Sequence, residues 1–145
     1  MSVAPTGDSG LLLIHTDGAS RGNPGEAGFG IHMVDGSGAT TDIYGYLGQA
    51  TNNVAEYQAL LHALRHALSH GARRIEVCSD SELMVRQVTG RYKVKHPGLA
   101  PLYREAMELL RRFESATVRH VAREANLEAD RLANRALDLR ASSLG

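Results

Sequence analysis

Near residue 53 the spacing of apolar residues first changes from a strand pattern to a helix pattern, and this change limits the possible folds more than any other feature. Before it, short apolar runs separated by glycine-rich turns predict three strands in a meander, at 11–16, 28–34 and 40–47. After it, from 53 to 69, apolar residues recur at the spacing of a helix, about 100° per residue around the axis. The residues of this apolar stripe are Tyr57, Leu60, Leu61, Leu64 and Leu68.

The rest of the chain predicts alternating strands and helices. Strands are expected at 74–79 and 117–121, and helices at 81–88, 99–113 and 126–139. The order βββαβααβα predicts an α/β fold with a five-stranded mixed sheet, made of a three-strand antiparallel meander plus two parallel strands and flanked by helices. Ligand sites in such sheets lie beyond the carboxyl ends of the parallel strands.

Length and composition predict one domain. The chain has 145 residues, enough to bury its own core. We expect the domain at 10–139, between a flexible N-terminal tail at 1–9 and a C-terminal tail at 140–145. No apolar segment approaches the roughly 18 residues that cross a membrane, and Cys78 alone cannot form an internal disulfide. These features predict a cytoplasmic monomer with no membrane association and no obligate protein partner.

Charge is balanced overall but not locally. The chain has 16 basic and 16 acidic residues, whereas nucleic-acid-binding domains are often basic. The segment 86–96, RQVTGRYKVKH, nevertheless contains several cations and no acid, and Lys93 and Lys95 are the only lysines in the chain. Such a basic stripe can contact phosphates without a high net charge. A solvated connector is the alternative interpretation.

Four acidic residues are candidates for a shared site. Asp17 is predicted to end the first strand and Asp80 the fourth, so their carboxylates meet at one sheet edge if these strands are parallel neighbours. Glu56 borders the apolar stripe of the long helix, and Asp130 lies in the first turn of the last helix. Converging carboxylates repel one another unless cations lie between them, and Mg²⁺ and Mn²⁺ prefer oxygen ligands.

Each of these acids also has a purely structural interpretation. Asp17 could be the first residue of an Asp-Gly turn, and Glu56 could form a capping box with Asn53. Asp80 could cap the helix that follows it, and Asp130 could complement the dipole of the last helix. The residue types and spacing leave both interpretations open.

The sequence around each acid is more specific than the acid itself. Asp17 lies in TDGASRGNPGEAGFG, Glu56 in ATNNVAEYQALLHAL, Asp80 in VCSDSELMVRQV and Asp130 in REANLEADRLANRA. In this order and spacing, these segments resemble the type 1 ribonuclease H family over 10–139. The resemblance implies the ribonuclease H-like fold and hydrolysis of the RNA strand of an RNA–DNA hybrid duplex, leaving 5′-phosphate and 3′-hydroxyl ends. It also implies that the four acids hold two Mg²⁺ ions, with Mn²⁺ as a substitute.

The resemblance extends to residues that contact the substrate. Asn23, Asn52 and Asn53 match positions that contact the hybrid, and Thr51 matches a residue that binds a DNA phosphate. The same residues are also suited to a turn and to a helix start, and the two roles are compatible. Some relatives with a short loop also cut double-stranded RNA, so this side activity stays open.

The chain departs from the family pattern at three places. It lacks the extra helix and basic loop of many relatives, so substrate binding would either be weaker or depend on Arg91, Lys93 and Lys95. Arg123 replaces a mobile histidine before the last aspartate, and Gln49 stands where an arginine often lies. Arginine cannot act as a base at neutral pH, so the help expected from Arg123 is electrostatic. A non-cutting binding module and another polynucleotidyl transferase of this fold remain the rival functions.

Histidines recur every four residues at His62, His66 and His70. This spacing could hold a transition metal on a helix. The three side chains centre opposite the apolar stripe, which instead predicts a solvated helix face.

Overall fold

A computed structural model describes residues 10–143. Its strands and helices, in chain order, are β1 (Leu11–Gly22), β2 (Gly25–Val34), β3 (Thr40–Ala50), α1 (Asn52–Ser69), β4 (Arg74–Ser79), α2 (Glu82–Val88), α3 (Ala100–Leu110), β5 (Ser115–His120) and α4 (Leu127–Leu139). A short 3-10 helix at Arg123–Ala125 precedes α4. The tail predicted at 1–9 lies outside the described residues. Within 10–143, no helix combines the length and apolar character needed to cross a membrane.

The five strands form one mixed sheet in the order β3-β2-β1-β4-β5. The first three strands pair antiparallel as a meander, while β4 pairs parallel with β1 and β5 pairs parallel with β4. The predicted fold class is therefore confirmed, including the division into an antiparallel meander and two parallel strands. The central strand, β1, carries one of the four candidate acids.

Helices α1 and α4 lie on opposite faces of this sheet. The apolar stripe of α1 is buried, and Leu60, Leu61 and Leu64 have no exposed surface. Each fully buried leucine contributes roughly 1.5–3 kcal/mol to stability. On the other face, Leu132 and Leu137 of α4 are each 3% exposed. Both helices therefore have fixed positions relative to the central strands.

Two glycines allow these helices to approach the strands closely. A Cβ atom at Gly18 would lie 2.2 Å from the carbonyl carbon of Ala55 in α1, and one at Gly30 would lie 2.2 Å from the carbonyl oxygen of Ala129 in α4. Real Cβ atoms essentially never approach backbone this closely. Glycine is therefore required at both positions, because the helix backbone occupies the space of a side chain.

The first strand is longer than predicted. We expected it to stop at Asp17, with Asp17-Gly18 as a turn, but β1 continues to Gly22 and Gly18 pairs with Phe29 of β2. The prediction was wrong because a glycine seated beneath a helix has the same sequence signature as a turn glycine. Helix α3 is shorter than predicted, because we expected a helix at 99–113 and it spans Ala100–Leu110.

The histidine face of α1 is less exposed than predicted. His62 is half-buried and stacks on Phe29, with ring centroids 4.4 Å apart. His66 is also half-buried and stacks on His70, with centroids 4.0 Å apart. The expectation of a solvated face is wrong for His62 and His66, because neighbouring rings cover them.

The segment after α4 makes contacts along the sheet edge. The Ser143 backbone N–H donates to the Tyr44 carbonyl oxygen at 2.9 Å, and the Tyr46 N–H donates to Ser142 Oγ at 3.0 Å. Pairing of this kind covers part of the edge of β3, which would otherwise offer unpaired backbone groups.

Candidate active site

Parallel pairing of β1 and β4 places two of the four acids side by side. Thr16 lies opposite Ser79 in the register, so the next residues, Asp17 and Asp80, lie level with each other. Asp17 is buried, with 5% of its surface exposed, and it lies within β1 rather than at the end of the strand. The two parallel strands therefore bring the Asp17 and Asp80 carboxylates together, as the sequence predicted. Asp17 does so from the middle of β1 and not from its end.

Glu56 is fixed from the opposite side by the close seating of α1. It is 4% exposed, and its Oε1 accepts a hydrogen bond from the Gly18 backbone N–H at 2.8 Å. The capping-box interpretation is wrong, because the N-cap of α1 is Thr51, whose side chain accepts from the Val54 N–H at 3.2 Å. Glu56 thus points at β1 instead of bonding to the start of its own helix.

The capping interpretation of Asp80 is also wrong. Ser81 is the N-cap of α2, and its side chain accepts from the Met84 N–H. Asp17, Glu56 and Asp80 each present a carboxylate oxygen, and these oxygens lie within 4.8 Å of one another. The three acids therefore form a cluster whose members are all distant from one another in sequence.

Asp130 lies near Asp17, close enough that, in addition to burial, it helps to raise the pKa of Asp17. It lies in the first turn of α4, so its role at the helix dipole and a role in the cluster coexist. All four acids line one cleft of about 440 Å³. The other lining residues are Gly18, Ala19, Ser20, Arg21, Asn52, Ser81, Arg123, Asn134 and Leu137. The cleft combines a carboxylate floor with basic and amide groups.

Burial and the repulsion of neighbouring carboxylates make Asp17 and Glu56 hard to ionise. Burial, followed by the negative charges of Glu56 and Asp80, raises the pKa of Asp17 far above its usual value. Burial raises the pKa of Glu56 to about 8, although the hydrogen bond from Gly18 opposes this shift. A cation between the carboxylates would remove the repulsion. The donors are hard carboxylate oxygens, which fit Mg²⁺ or Mn²⁺.

Arg123 lies beside the cluster as an exposed counter-charge. Its Nη2 is 3.8 Å from Asp130 Oδ1, and its side chain is 77% exposed. The short 3-10 helix before α4 begins at Arg123, and the side chain lines the cleft. The structure thus brings Arg123 next to the acids, where its positive charge can stabilise negative charge in the cleft.

Two further residues of the cleft were missed from sequence. Asn134 Nδ2 donates to the Asp130 carbonyl oxygen at 3.0 Å, and Arg21 Nη2 bonds to Asp138 Oδ1 at 2.6 Å while also lying 3.5 Å from Asn134 Oδ1. The helical spacing of Asn134 one turn after Asp130 could have indicated that it shares the same face. Nothing in the local sequence indicates Arg21, which reaches the cleft because β1 extends beyond Asp17.

The predicted hybrid-contacting residues lie at the start of α1 and in the β1–β2 turn that bonds to it. Asn23 Oδ1 accepts from the Asn52 N–H at 2.9 Å, which ties the β1–β2 turn to the helix. Asn52 lines the cleft, Asn53 is exposed beside it, and Thr51 is half-buried. The structure brings these four residues together at the rim.

The predicted basic stripe lies elsewhere. Arg91, Lys93 and Lys95 are exposed, and the described residues that line the cleft include none of them. Arg91 instead lines a separate groove with residues of α2 and β5. Arg86, the first cation of the stripe, forms an ion pair with Glu82 at 2.6 Å. These cations are therefore not brought together with the acids.

Similar sequences support the interpretation of the fold. A family model described as reverse transcriptase-like matches residues 15–136. The chain is 45% identical over 134 residues to the bifunctional protein Rv2228c of Mycobacterium tuberculosis, and the match covers 91% of this chain and 37% of that protein. The chain thus spans well under half the length of this curated relative.

Two RNase H1 structures match this chain over nearly their full length. The RNase H1 of the halophilic archaeon Halobacterium salinarum NRC-1 is 43% identical with a TM-score of 0.85, covering 88% of this chain and 98% of that one. LC11-RNase H1, solved in complex with an RNA/DNA hybrid, is 41% identical with a TM-score of 0.84, covering 89% and 98%. The sheet order, the acidic cleft and these matches together show that the chain belongs to the type 1 ribonuclease H family.

Proposed function

We propose that this chain is an endoribonuclease that hydrolyses the RNA strand of RNA–DNA hybrids and leaves 5′-phosphate and 3′-hydroxyl ends. The observation that carries the proposal is the cluster of Asp17, Glu56 and Asp80, with oxygens within 4.8 Å of one another and Asp130 in the same cleft. The hybrid bound to the similar LC11-RNase H1 supports the substrate class.

The four acids would hold two Mg²⁺ ions, with Mn²⁺ as a substitute. When bound, such ions activate the attacking water and stabilise charge on the leaving 3′ oxygen. The protein's own contribution is to fix the ligands before the ions arrive. Glu56 is held by the Gly18 N–H at 2.8 Å, and Asp17 is held within a central strand. Fixed ligands need no rearrangement during the reaction.

The rim residues would distinguish RNA from DNA. Asn23, Asn52 and Asn53 carry amide groups that donate and accept, as does the 2′-hydroxyl that marks the RNA strand. Thr51 Oγ1 accepts from the Val54 N–H, which leaves its hydroxyl proton free to donate to a DNA phosphate. Thr51 would therefore use its hydroxyl oxygen to cap α1 and its hydroxyl proton to contact the substrate.

Arg123 would act by charge alone. Its guanidinium stays protonated at neutral pH, and it lies 3.8 Å from Asp130, so it would favour negative charge at the scissile phosphate. Arg91, Lys93 and Lys95 would contact backbone phosphates of the same duplex farther from the cut, since they lie outside the cleft lining. A monomer in the cytoplasm stays a prediction.

The decisive experiment compares three duplexes of matched sequence: an RNA–DNA hybrid, a DNA duplex and an RNA duplex, each with and without a chelator. We expect cleavage of the hybrid that requires Mg²⁺ or Mn²⁺ and stops with chelator. Cleavage of the RNA duplex would add the side activity left open by the family resemblance. A preference for the DNA duplex would contradict the proposal and favour another polynucleotidyl transferase.

A variant separates a nuclease from a module that binds without cutting. Asp80→Asn should abolish cleavage while the thermal unfolding transition is retained, because the substitution removes one metal ligand and keeps the side-chain shape. Asp35→Asn is the matched control, since Asp35 lies in the exposed turn after β2. Cleavage by Asp80→Asn without metal would refute the site.

A further inference from the structure

A second group of metal-binding side chains lies on the sheet outside the acidic cleft. His15, His32 and Asp42 are direct neighbours on β1, β2 and β3, because His15 pairs with His32 and His32 pairs with Asp42. Residues paired in this way project on the same face of a sheet. Glu128, in the first turn of α4, lies close to His32 and Asp42.

Three of these side chains converge closely. His32 Nδ1 lies 2.5 Å from Asp42 Oδ1. Single ligand atoms of His32, Asp42 and Glu128 all lie within 4.8 Å of one another, an upper limit that the acidic cluster also meets. The ligands come from two strands and one helix, so the tertiary fold rather than a local motif assembles them.

A cavity of about 220 Å³ adjoins this group. His15, His32 and Glu128 line it, together with residues of the 3-10 helix and the start of α4. His15 Nδ1 is buried there without a hydrogen-bond partner among the described residues. A second nitrogen donor therefore lies at the wall of the cavity.

We propose that His32, Asp42 and Glu128 form a separate site for a transition metal ion, with Zn²⁺ as the expected occupant. One imidazole nitrogen and two carboxylates are a suitable ligand set for Zn²⁺, which then takes water in its fourth position. Mg²⁺ prefers oxygen ligands alone. The site therefore differs from the acidic cleft in the metal that it selects.

Arg131 competes for the same carboxylates. Its Nη2 lies 3.0 Å from Glu128 Oε2 and 3.9 Å from Asp42 Oδ2. Without a metal ion, this guanidinium neutralises the two acids. The Arg131 side chain is 54% exposed, so it can turn into solvent when a cation binds. Removal of the guanidinium should therefore strengthen metal binding.

The position of the site gives it a structural consequence. Glu128 lies two residues before Asp130 in the same helical turn. A metal held by Glu128 and by the two strands would attach the start of α4 to the sheet. The same attachment would restrict the turn that carries Asp130 in the acidic cleft.

Zinc binding can be measured without interference from the acidic cleft. In an Asp17→Asn/Asp80→Asn protein, titration with Zn²⁺ by calorimetry should show one site, and Zn²⁺ should raise Tm whereas Mg²⁺ should not. Adding His32→Ala or Glu128→Gln should weaken Kd by about tenfold or more. Adding Arg131→Ala should strengthen it. None of these readouts depends on nuclease activity.

His66→Ala is the matched control, because His66 and His70 stack on α1 and form a rival histidine pair. It should leave zinc binding unchanged. Equal affinity in the His32→Ala protein, or loss of binding with His66→Ala alone, would overturn the proposal. If the double background variant does not fold, Co²⁺ is titrated into the otherwise unchanged protein. His32→Ala should then remove a visible absorption band, and an unchanged spectrum would equally overturn the proposal.

Discussion

Replacing Gly18 with alanine tests how the fold positions the acidic cluster. A Cβ at this position would lie 2.2 Å from the Ala55 carbonyl carbon and 2.3 Å from the Glu56 nitrogen, whereas ordinary contacts begin at 3.4 Å. Helix α1 would therefore have to move away from β1 by about 1.2 Å to restore an ordinary contact. The neighbouring atoms belong to backbone, so a change of rotamer cannot relieve the overlap.

The cost of this movement has two parts. Overpacking a well-packed contact costs about 1–3 kcal/mol. The movement also weakens the 2.8 Å hydrogen bond from the Gly18 N–H to Glu56, and an ordinary hydrogen bond contributes about 0.5–1.5 kcal/mol to stability. We therefore expect Gly18→Ala to lower the free energy of unfolding by roughly 2–4 kcal/mol, a substantial share of the 5–15 kcal/mol typical of a domain.

Urea denaturation followed by circular dichroism measures this change directly. Gly10→Ala is the matched control, because a Cβ at Gly10 would meet only the flexible end of Arg74, at 3.0 Å. That variant should change the free energy of unfolding by less than about 1 kcal/mol. A decrease below about 1 kcal/mol in Gly18→Ala as well would refute the close seating of α1 on β1.

Two further predictions concern pH and salt. Burial raises the folded-state pKa of Asp17 and Glu56 above their unfolded values, so the native state binds more protons than the unfolded chain. The metal-free protein should therefore lose stability as pH rises from about 4 to 8. In urea titrations at several pH values, a Glu56→Gln variant should lose less stability over this range, and an unchanged dependence of stability on pH would contradict the raised pKa of Glu56. Changing Arg91, Lys93 and Lys95 together to alanine should raise KM for the hybrid. The dependence of log affinity on log salt concentration should become shallower by about 0.9 for each phosphate contact that is lost. A salt dependence equal to that of the unchanged protein would show that this segment does not contact the substrate.

The sequence was sufficient to predict the sheet, because periodicity and turn residues are local signals. It also placed Asp17 beside Asp80, since parallel neighbouring strands end at the same edge. The partner of Glu56 could not be predicted in this way. Its hydrogen bond to Gly18 exists only because α1 lies on β1, and the sequence alone allowed an equally good capping box with Asn53.

The cleft residues beyond the motifs show the same limit. Arg21 reaches the cleft because β1 continues past Asp17, and Asn134 does so because α4 crosses the sheet at Gly30. Both facts depend on distances between elements that are distant in sequence. The basic stripe at Arg91, Lys93 and Lys95 illustrates the converse, because a conspicuous local pattern lies outside the cleft that its interpretation suggested.

The contacts that order the cluster also make the metal-free protein less stable. Glycine at Gly18 and Gly30 lets two helix backbones approach the strands, and this close packing removes Asp17 and Glu56 from water. Ionising both carboxylates there costs free energy that folding must supply. Divalent ions that bind only the folded cluster would return part of this free energy. Catalytic geometry and the stability of the metal-free fold are therefore opposed at the same atoms, and binding of divalent ions would reconcile them.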